Sequence, residues 1–403
     1  MELGTNKDKL KVLWVSDLVT PTGFSTVAHN IIANNLEYWD VTGLGVNYKG
    51  DPHTYSFQIF PAMISGMGNI YGVDRLVSLL TEHKFDVLYI LNDAWVISYY
   101  LDAIKKYVKE ALPKIVVYFP VDSKFHNPEW YKDFDIVSQA FTYTQFGKQV
   151  VKECIPQMEL GVIPHGVDLN SFYRLNEDRV EARRTLWGNT VKTDEGLRNL
   201  FIVLNAGRNQ PRKRLDITMA GFSMFSYGKP TNVKLHMHTG LRDSAIDVAY
   251  IARRYGIEER LILTNLRQGV QREPIEKLNR IYNSADVGIN TGLGEGWGLP
   301  NVEHAVTGAV QVVPRHSACE ELFGDCGLLM ETVTDYTFDN SQTVGKLTTP
   351  REVARCLETL YVNPDLRKEL SDRGMSKFTQ PMYQWSEIAK QWREVFFDVT
   401  RIP

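Results

Sequence analysis

The chain runs to 403 residues, 43% of them hydrophobic and 23% charged, with a formal net charge of −3 at pH 7. That length allows two domains of ordinary size, and the composition fits a soluble globular protein. The slightly acidic balance excludes a global pull toward nucleic acid or anionic lipid, and no apolar run approaches the roughly 20 residues of a membrane-spanning helix.

Four cysteines (Cys154, Cys319, Cys326 and Cys356) stand in no metal-ligand spacing. They read as reduced thiols, so a cytoplasmic protein is expected. Residues 1–11 are polar and charged and do not read as a signal peptide.

In chain order, a strand over 11–16 leads through a loop containing Gly23 into a helix capped at Ser25 or Thr26, with Val27, Ile31 and Ile32 on one face. Strand, glycine loop and helix make the first unit of a Rossmann-like domain. Strands over 40–48, 86–91 and 114–119 then alternate with helices over 73–83 and 98–111. That alternation predicts a parallel sheet covered on both faces. Residues 49–72 read as a long loop. The strand ending at Phe119 runs into Pro120, Val121, Asp122 and, further on, His126. Ligands bind at the carboxyl ends of strands in open α/β sheets, which makes Asp122 a candidate ligand contact and His126 a second. Asp133-Phe-Asp135 resembles a metal-binding pair, but it precedes an apolar strand (136–144) instead of ending one, so no metal is expected there.

Residues 161–168, Gly-Val-Ile-Pro-His-Gly-Val-Asp, read as a strand stopped by proline and followed by a glycine turn. A buried strand over 200–205 opens the second domain. Arg208, Arg212, Lys213 and Arg214 follow it, ahead of the next helix. Cations at that place make a phosphate site, since arginine offers a fork to phosphate oxygens and lysine a point charge; Arg208 and Lys213 are the candidates for it, while Arg212 and Arg214 read as surface charges. His236 and His238 share one face of a strand over 233–238, but two ligands alone rarely hold a metal. Leu266 ends the next strand, with Arg267 beside it.

The chain is organised around Thr291-Gly-Leu-Gly-Glu-Gly-Trp-Gly-Leu-Pro-Asn-Val-Glu303, between a strand over 285–290 and a helix expected over 304–306. Its four glycines let backbone N–H groups approach a ligand, and a helix start after such a turn favours phosphate. Glu303 can accept two hydroxyl hydrogen bonds, as a ribose diol offers, and Glu295 in the loop can reach a second polyol.

This stretch resembles the signature of retaining nucleotide-sugar glycosyltransferases of family four, in which two glutamates eight residues apart flank a Gly-Phe/Trp-Gly-Leu-Pro core; Glu295 and Glu303 have that spacing here. The resemblance extends to other blocks over most of the chain. Arg208 and Lys213 match the family's arginine and lysine, residues 161–168 its Ile-Pro-Asn-Gly-Val-Asp block, Gly23 its first-domain glycine, and Glu320 a common glutamate. One departure stands out: Pro120 or Val121 occupies the place of a frequent histidine.

The resemblance implies an α/β GT-B architecture, with two Rossmann-like domains facing across a cleft and a C-terminal helix crossing back to the first. The expected domains are 1–170 on the acceptor side, 171–380 on the donor side, and the helix 381–403. Trp385, Ile388, Ala389, Trp392, Val395 and Phe396 lie on one stripe of that helix. A helix lying on a membrane, giving peripheral membrane contact, is the rival reading of it.

The implied reaction moves a sugar from a UDP- or GDP-linked donor to a carbohydrate or glycolipid-linked acceptor. Arg208, Lys213, Glu295 and Asp122 are the catalytic candidates. Gly23, Gly296, Trp297, Gly298, Leu299, Glu303 and Leu266 are the donor-binding ones. Two fixed cations can neutralise a leaving diphosphate, so no metal cofactor is expected. Little affinity for nucleic acid is expected either. The alternatives are transfer to a modified nucleobase in nucleic acid, another GT-B activity such as a sugar-nucleotide epimerase, and a non-catalytic nucleotide-sugar binding protein.

Overall fold

The computed structural model describes residues 9–63, 68–264, 266 and 273–401. The first elements are β1 (Leu10–Ser16), α1 (Gly23–Ala33), β2 (Trp39–Gly45), β3 (Gln58–Pro61), α2 (Val73–Glu82), β4 (Val87–Leu91), α3 (Ala94–Tyr107), β5 (Lys114–Phe119), β6 (Gln139–Thr142), α4 (Gln145–Cys154) and β7 (Gly161–Val162). There follow α5 (Val180–Trp187), α6 (Asp194–Arg198), β8 (Phe201–Asn205), α7 (Leu215–Ser226), β9 (Val233–Met237), α8 (Val248–Tyr255), β10 (Leu261–Leu263), α9 (Ile275–Ser284), β11 (Val287–Ile289), α10 (Leu299–Val306), β12 (Val310–Pro314), α11 (Ser317–Phe323) and β13 (Leu328–Met330). The chain ends with β14 (Thr332–Thr337), β15 (Val344–Thr348), α12 (Pro350–Val362), α13 (Pro364–Phe378) and α14 (Trp385–Arg401).

These elements form two compact units. One is Met1–Val121 with Phe125–Gly166 and Met382–Pro403; the other is Val167–Pro381 with Asp122–Lys124. The first holds a seven-stranded parallel sheet of order β3-β2-β1-β4-β5-β6-β7, and the second a six-stranded parallel sheet of order β10-β9-β8-β11-β12-β13. The unbroken apolar runs of β4 and β5 are buried almost throughout, as parallel strands covered on both faces must be. In each sheet the chain order reverses beside the first strand, between β1 and β4 and between β8 and β11. Such reversal points open crevices at the carboxyl ends of the strands.

Several expectations change. Residues 49–72 are not one loop, because β3 adds a strand beside β2 within them. The cap of α1 is Thr22, which accepts a hydrogen bond from the Ser25 N–H, so Gly23 is the first helical residue. The helix expected over 304–306 begins at Leu299, because Gly298 takes a left-handed turn (φ 91°) and Pro300 sits in the first turn, where a helix needs no N–H. Glu303 therefore lies in its second turn. The antiparallel hairpin β14–β15 and the helix α13 had no counterpart in the sequence reading.

α14 packs within the first unit. Trp385, Ile388, Ala389, Trp392 and Phe396 are buried, while Val395 is half-buried. Trp392 meets Tyr89 and Tyr118 edge-on at 5.0 and 4.8 Å, and Phe396 stacks on Trp39 at 4.5 Å. The Asn35 amide donates to the Ala389 carbonyl at 3.0 Å. This apolar stripe is consumed by core packing, which corrects the reading of a helix lying on a membrane. Among the described residues, no helix is long and apolar enough to cross one.

Candidate active site

The site is built on the turns that follow β8 and β11 in the second unit. After β11, the Asn290 amide donates to the Glu295 carboxylate at 2.9 Å, and its carbonyl oxygen accepts from the Gly292 N–H at 2.8 Å. The Ser317 hydroxyl accepts from the Glu295 N–H at 3.0 Å. After β8, Asn205 holds the Gly207 N–H at 2.9 Å and reaches Thr218, which is in turn 2.8 Å from Thr291. The two turns are also sewn together directly. Thr291 lies 2.8 Å from the Arg214 carbonyl, the Leu293 N–H donates to the Arg212 carbonyl at 2.8 Å, and Arg212 donates to the Gly294 carbonyl at 3.2 Å. Gly294 is required by a close approach: a Cβ there would stand 1.9 Å from the Asp122 carbonyl oxygen.

Four charges converge on this frame. Lys213 Nζ donates to Glu295 Oε1; the Glu295 side chain is buried and the Lys213 side chain is half-buried. Arg212 lies 3.8 Å from Glu295 Oε2 and 3.8 Å from Asp122 Oδ2, with Arg212 and Asp122 forming the more exposed rim. Burial works to raise the Glu295 carboxyl, but Lys213, Arg212 and the Asn290 hydrogen bond outweigh it and bring it down to about 2. Burial and the neighbouring Arg212 lower the Lys213 ammonium, against the pull of Glu295. Desolvation thus weighs on the lysine, while the carboxylate is firmly ionised.

Glu303 is in the opposite state. Burial lifts its carboxyl to about 8, Asp168 adds to the rise, and a hydrogen bond from the Tyr282 hydroxyl at 3.0 Å only partly offsets it. Next to it, His304 stacks on Tyr282 at 5.3 Å and is held neutral by burial, its pKa lowered to about 3. The two glutamates eight residues apart are therefore not equivalent: one is a permanent anion and the other holds a proton near neutrality.

The remaining candidates fall in various places. Arg208 does not join the cluster; its guanidinium pairs with Asp243 at 2.7 Å. Arg212, which the sequence reading took for a surface charge, stands in the cluster instead. Arg214, assigned the same way, pairs with Asp216 at 2.8 Å. Gly296, the buried Trp297, Gly298 and Leu299 form the passage from the turn into α10. Gly23 starts α1 in the first unit, so its N–H has no intrahelical acceptor. Leu266 is 75% exposed, and Arg267 lies outside the described residues.

His126, the second candidate contact, is buried, with Nδ1 2.7 Å from the Tyr131 hydroxyl. Asp133 and Asp135 share the Lys105 ammonium, each at 3.0 Å. His236 and His238 both turn to the Thr264 hydroxyl, at 2.9 and 2.8 Å. Glu320 lies 3.6 Å from Arg315. Among the described residues, no group of three or more His, Cys, Asp or Glu could hold a metal ion. Tyr282 and Asp168, which act on the Glu303 carboxyl alongside its burial, carried no signal of that role in the sequence.

No protein-family model matches the chain, and no curated protein matches its sequence. Solved structures do match. HepE from Anabaena, in complex with UDP and glucose, aligns with a TM-score of 0.68 at 16% identity, over 96% of this chain and 100% of its own. Sucrose-phosphate synthase from Thermosynechococcus elongatus aligns with a TM-score of 0.74 at 13% identity, over 98% of this chain and 100% of its own. The fold is GT-B. WaaG, a glycosyltransferase involved in lipopolysaccharide biosynthesis, aligns at 0.70 with 11% identity, over 96% of this chain and 99% of its own. At these identities the likeness is one of fold. In the second unit of this GT-B chain, Lys213 and Glu295 lie on the turns after β8 and β11, the pair of strands that flank the chain reversal.

Proposed function

We propose that the chain is a retaining glycosyltransferase that moves a sugar from a nucleotide diphosphate donor to a carbohydrate or glycolipid-linked acceptor. The observation that carries this reading is the Lys213–Glu295–Arg212 cluster at the reversal point of the second sheet, with Glu303 eight residues beyond. The HepE structure in complex with UDP-glucose supports trying uridine diphosphate sugars first, with GDP sugars second.

In the reaction, the bond between the sugar C1 and the diphosphate oxygen breaks. A bond from the acceptor oxygen to C1 forms on the same face, and the acceptor proton passes to the departing phosphate oxygen. Lys213 supplies a half-buried positive charge where negative charge grows, which is preorganised electrostatic stabilisation. Arg208 joins it by exchanging Asp243 for phosphate, and Arg212 adds to the same field. Glu295 orients the sugar hydroxyls, Asp122 contacts the sugar or acceptor, and Glu303 holds the ribose. Gly296, Gly298 and Leu299 bring the start of α10 to the donor.

On this reading the leaving group is neutralised by side chains, so turnover of a UDP- or GDP-sugar panel is unchanged by EDTA. Released nucleotide diphosphate and transferred sugar are the quantities to follow. Complete loss with the chelator, restored by Mn²⁺ or Mg²⁺, contradicts the assignment of that task to Lys213 and Arg208.

A further inference from the structure

We infer that the β14–β15 hairpin positions Asp122, with Thr343 and Ser123 as the positioning residues. Residues Asp122–Lys124 belong by their contacts to the second unit, although the chain on either side of them belongs to the first. Their anchor there is the hairpin. Lys124 and Val344 exchange backbone hydrogen bonds in both directions, at 2.8 and 2.9 Å. Beside this bridge runs a line of hydroxyls. Ser341 lies 2.7 Å from Thr343, Thr343 lies 2.9 Å from Ser123, and Ser123 donates to Asp122 Oδ1 at 3.0 Å.

An ionised carboxylate only accepts, and each hydroxyl has one proton to give. The Ser123 hydroxyl lies between two acceptors, Asp122 Oδ1 and Thr343 Oγ1, and its one proton links the carboxylate to the hairpin. With Oδ1 held in this way, Oδ2 is the oxygen turned to Arg212 at 3.8 Å. Ser123 and Thr343 are 2% and 3% exposed. Two buried hydroxyls can be replaced by apolar groups of similar shape at little cost in stability. Packing alone therefore does not require them, whereas aiming a carboxylate does.

The hairpin also fixes the glycine-rich turn. The Lys346 N–H donates to the Leu293 carbonyl at 2.9 Å, and a Cβ on Gly345 would stand 2.4 Å from that oxygen. One hairpin thus sets the distance between Asp122 and the turn carrying Glu295.

The inference rests on the proposed transferase activity for its kinetic readout. Thr343→Val and Ser123→Ala should lower kcat by roughly ten- to a hundredfold, the scale that a slightly misplaced catalytic group costs. The donor KM should stay within about twofold in both, and Thr343→Ser should restore the wild-type kcat. A kcat within about twofold of wild type in both variants overturns the inference. So does a Thr343→Ser variant no better than Thr343→Val, or a change confined to donor KM. Should Thr343→Val fail to fold, Ser123→Ala carries the test. If the wild-type chain transfers no sugar from any nucleotide donor, the proposed function falls. A crystal structure of Ser123→Ala then decides the positioning alone: an Asp122 carboxylate turned away from Arg212 supports it, and an unmoved one overturns it.

Discussion

Lys213→Ala should abolish most turnover and also destabilise the fold, by separate routes. Glu295 is 5% exposed and takes its charge compensation from Lys213 and Arg212. Removing one member of a buried ion pair typically costs about 3–5 kcal/mol, because the other charge is left uncompensated. The wild-type carboxyl sits at about 2, below its ordinary value. Its pairing therefore contributes stability above the unfolded-state pKa near 4.5, and loses it as pH falls toward 2.

In the variant that contribution is lost at pH 7, and Glu295 becomes easier to protonate. The gap in stability between variant and wild type should narrow from pH 8 to pH 5 in urea titrations. Adding Glu295→Gln should recover much of the lost stability. It should not recover kcat, which falls by about 10²–10³ when a preorganised charge is removed. Equal stability of wild type and Lys213→Ala at pH 8 contradicts the burial argument. A double variant with wild-type kcat contradicts the catalytic one.

Donor affinity should rise with pH between about 6 and 8.5, and Glu303 should be the cause. Its carboxyl is lifted to about 8 by burial and by Asp168. Accepting two ribose hydroxyls needs the ionised form, so donor binding must displace a proton while pH is below 8. Calorimetric titrations in buffers of different ionisation enthalpy should show that release. Glu303→Gln should remove the pH slope and weaken donor binding at pH 8.5 by about 1.5–3 kcal/mol, the value of hydrogen bonds to a charged group.

Stability moves the other way. A folded state that keeps a proton the unfolded chain has released loses stability as pH rises from about 4.5 to 8. Glu303→Gln should flatten that decline. A pH slope in donor affinity that survives Glu303→Gln assigns the titration to another group.

Much of this site was legible in the sequence because its parts are local. The buried runs of β4 and β5, the glycine turn with its two glutamates, and a cation-rich turn after β8 all follow from nearest-neighbour chemistry. Pairings across the fold were not legible. Arg212 read as a surface charge because its partners, Asp122 and Glu295, come from distant segments. Arg208 meets Asp243, which no spacing rule links to it. The charge state of Glu303 depends on Tyr282 and Asp168, which sit on other elements.

Weak patterns hid whole elements. β3 is four residues long within a Pro- and Gly-containing stretch. β14 is largely polar and exposed, so it lacks the alternation of a half-buried strand. α13 buries only Leu370, Ser371, Gly374 and Phe378 of its 15 residues.

The decisive measurement is the anomeric configuration of the product formed from an α-linked nucleotide sugar, read by NMR of the new linkage. An α-configured product from the wild-type chain, with Lys213→Ala at least about a hundredfold slower, is the expected result. A β-configured product, or a full panel of UDP- and GDP-sugars left intact in the presence of carbohydrate acceptors, contradicts a retaining transferase built on Lys213, Glu295 and Glu303.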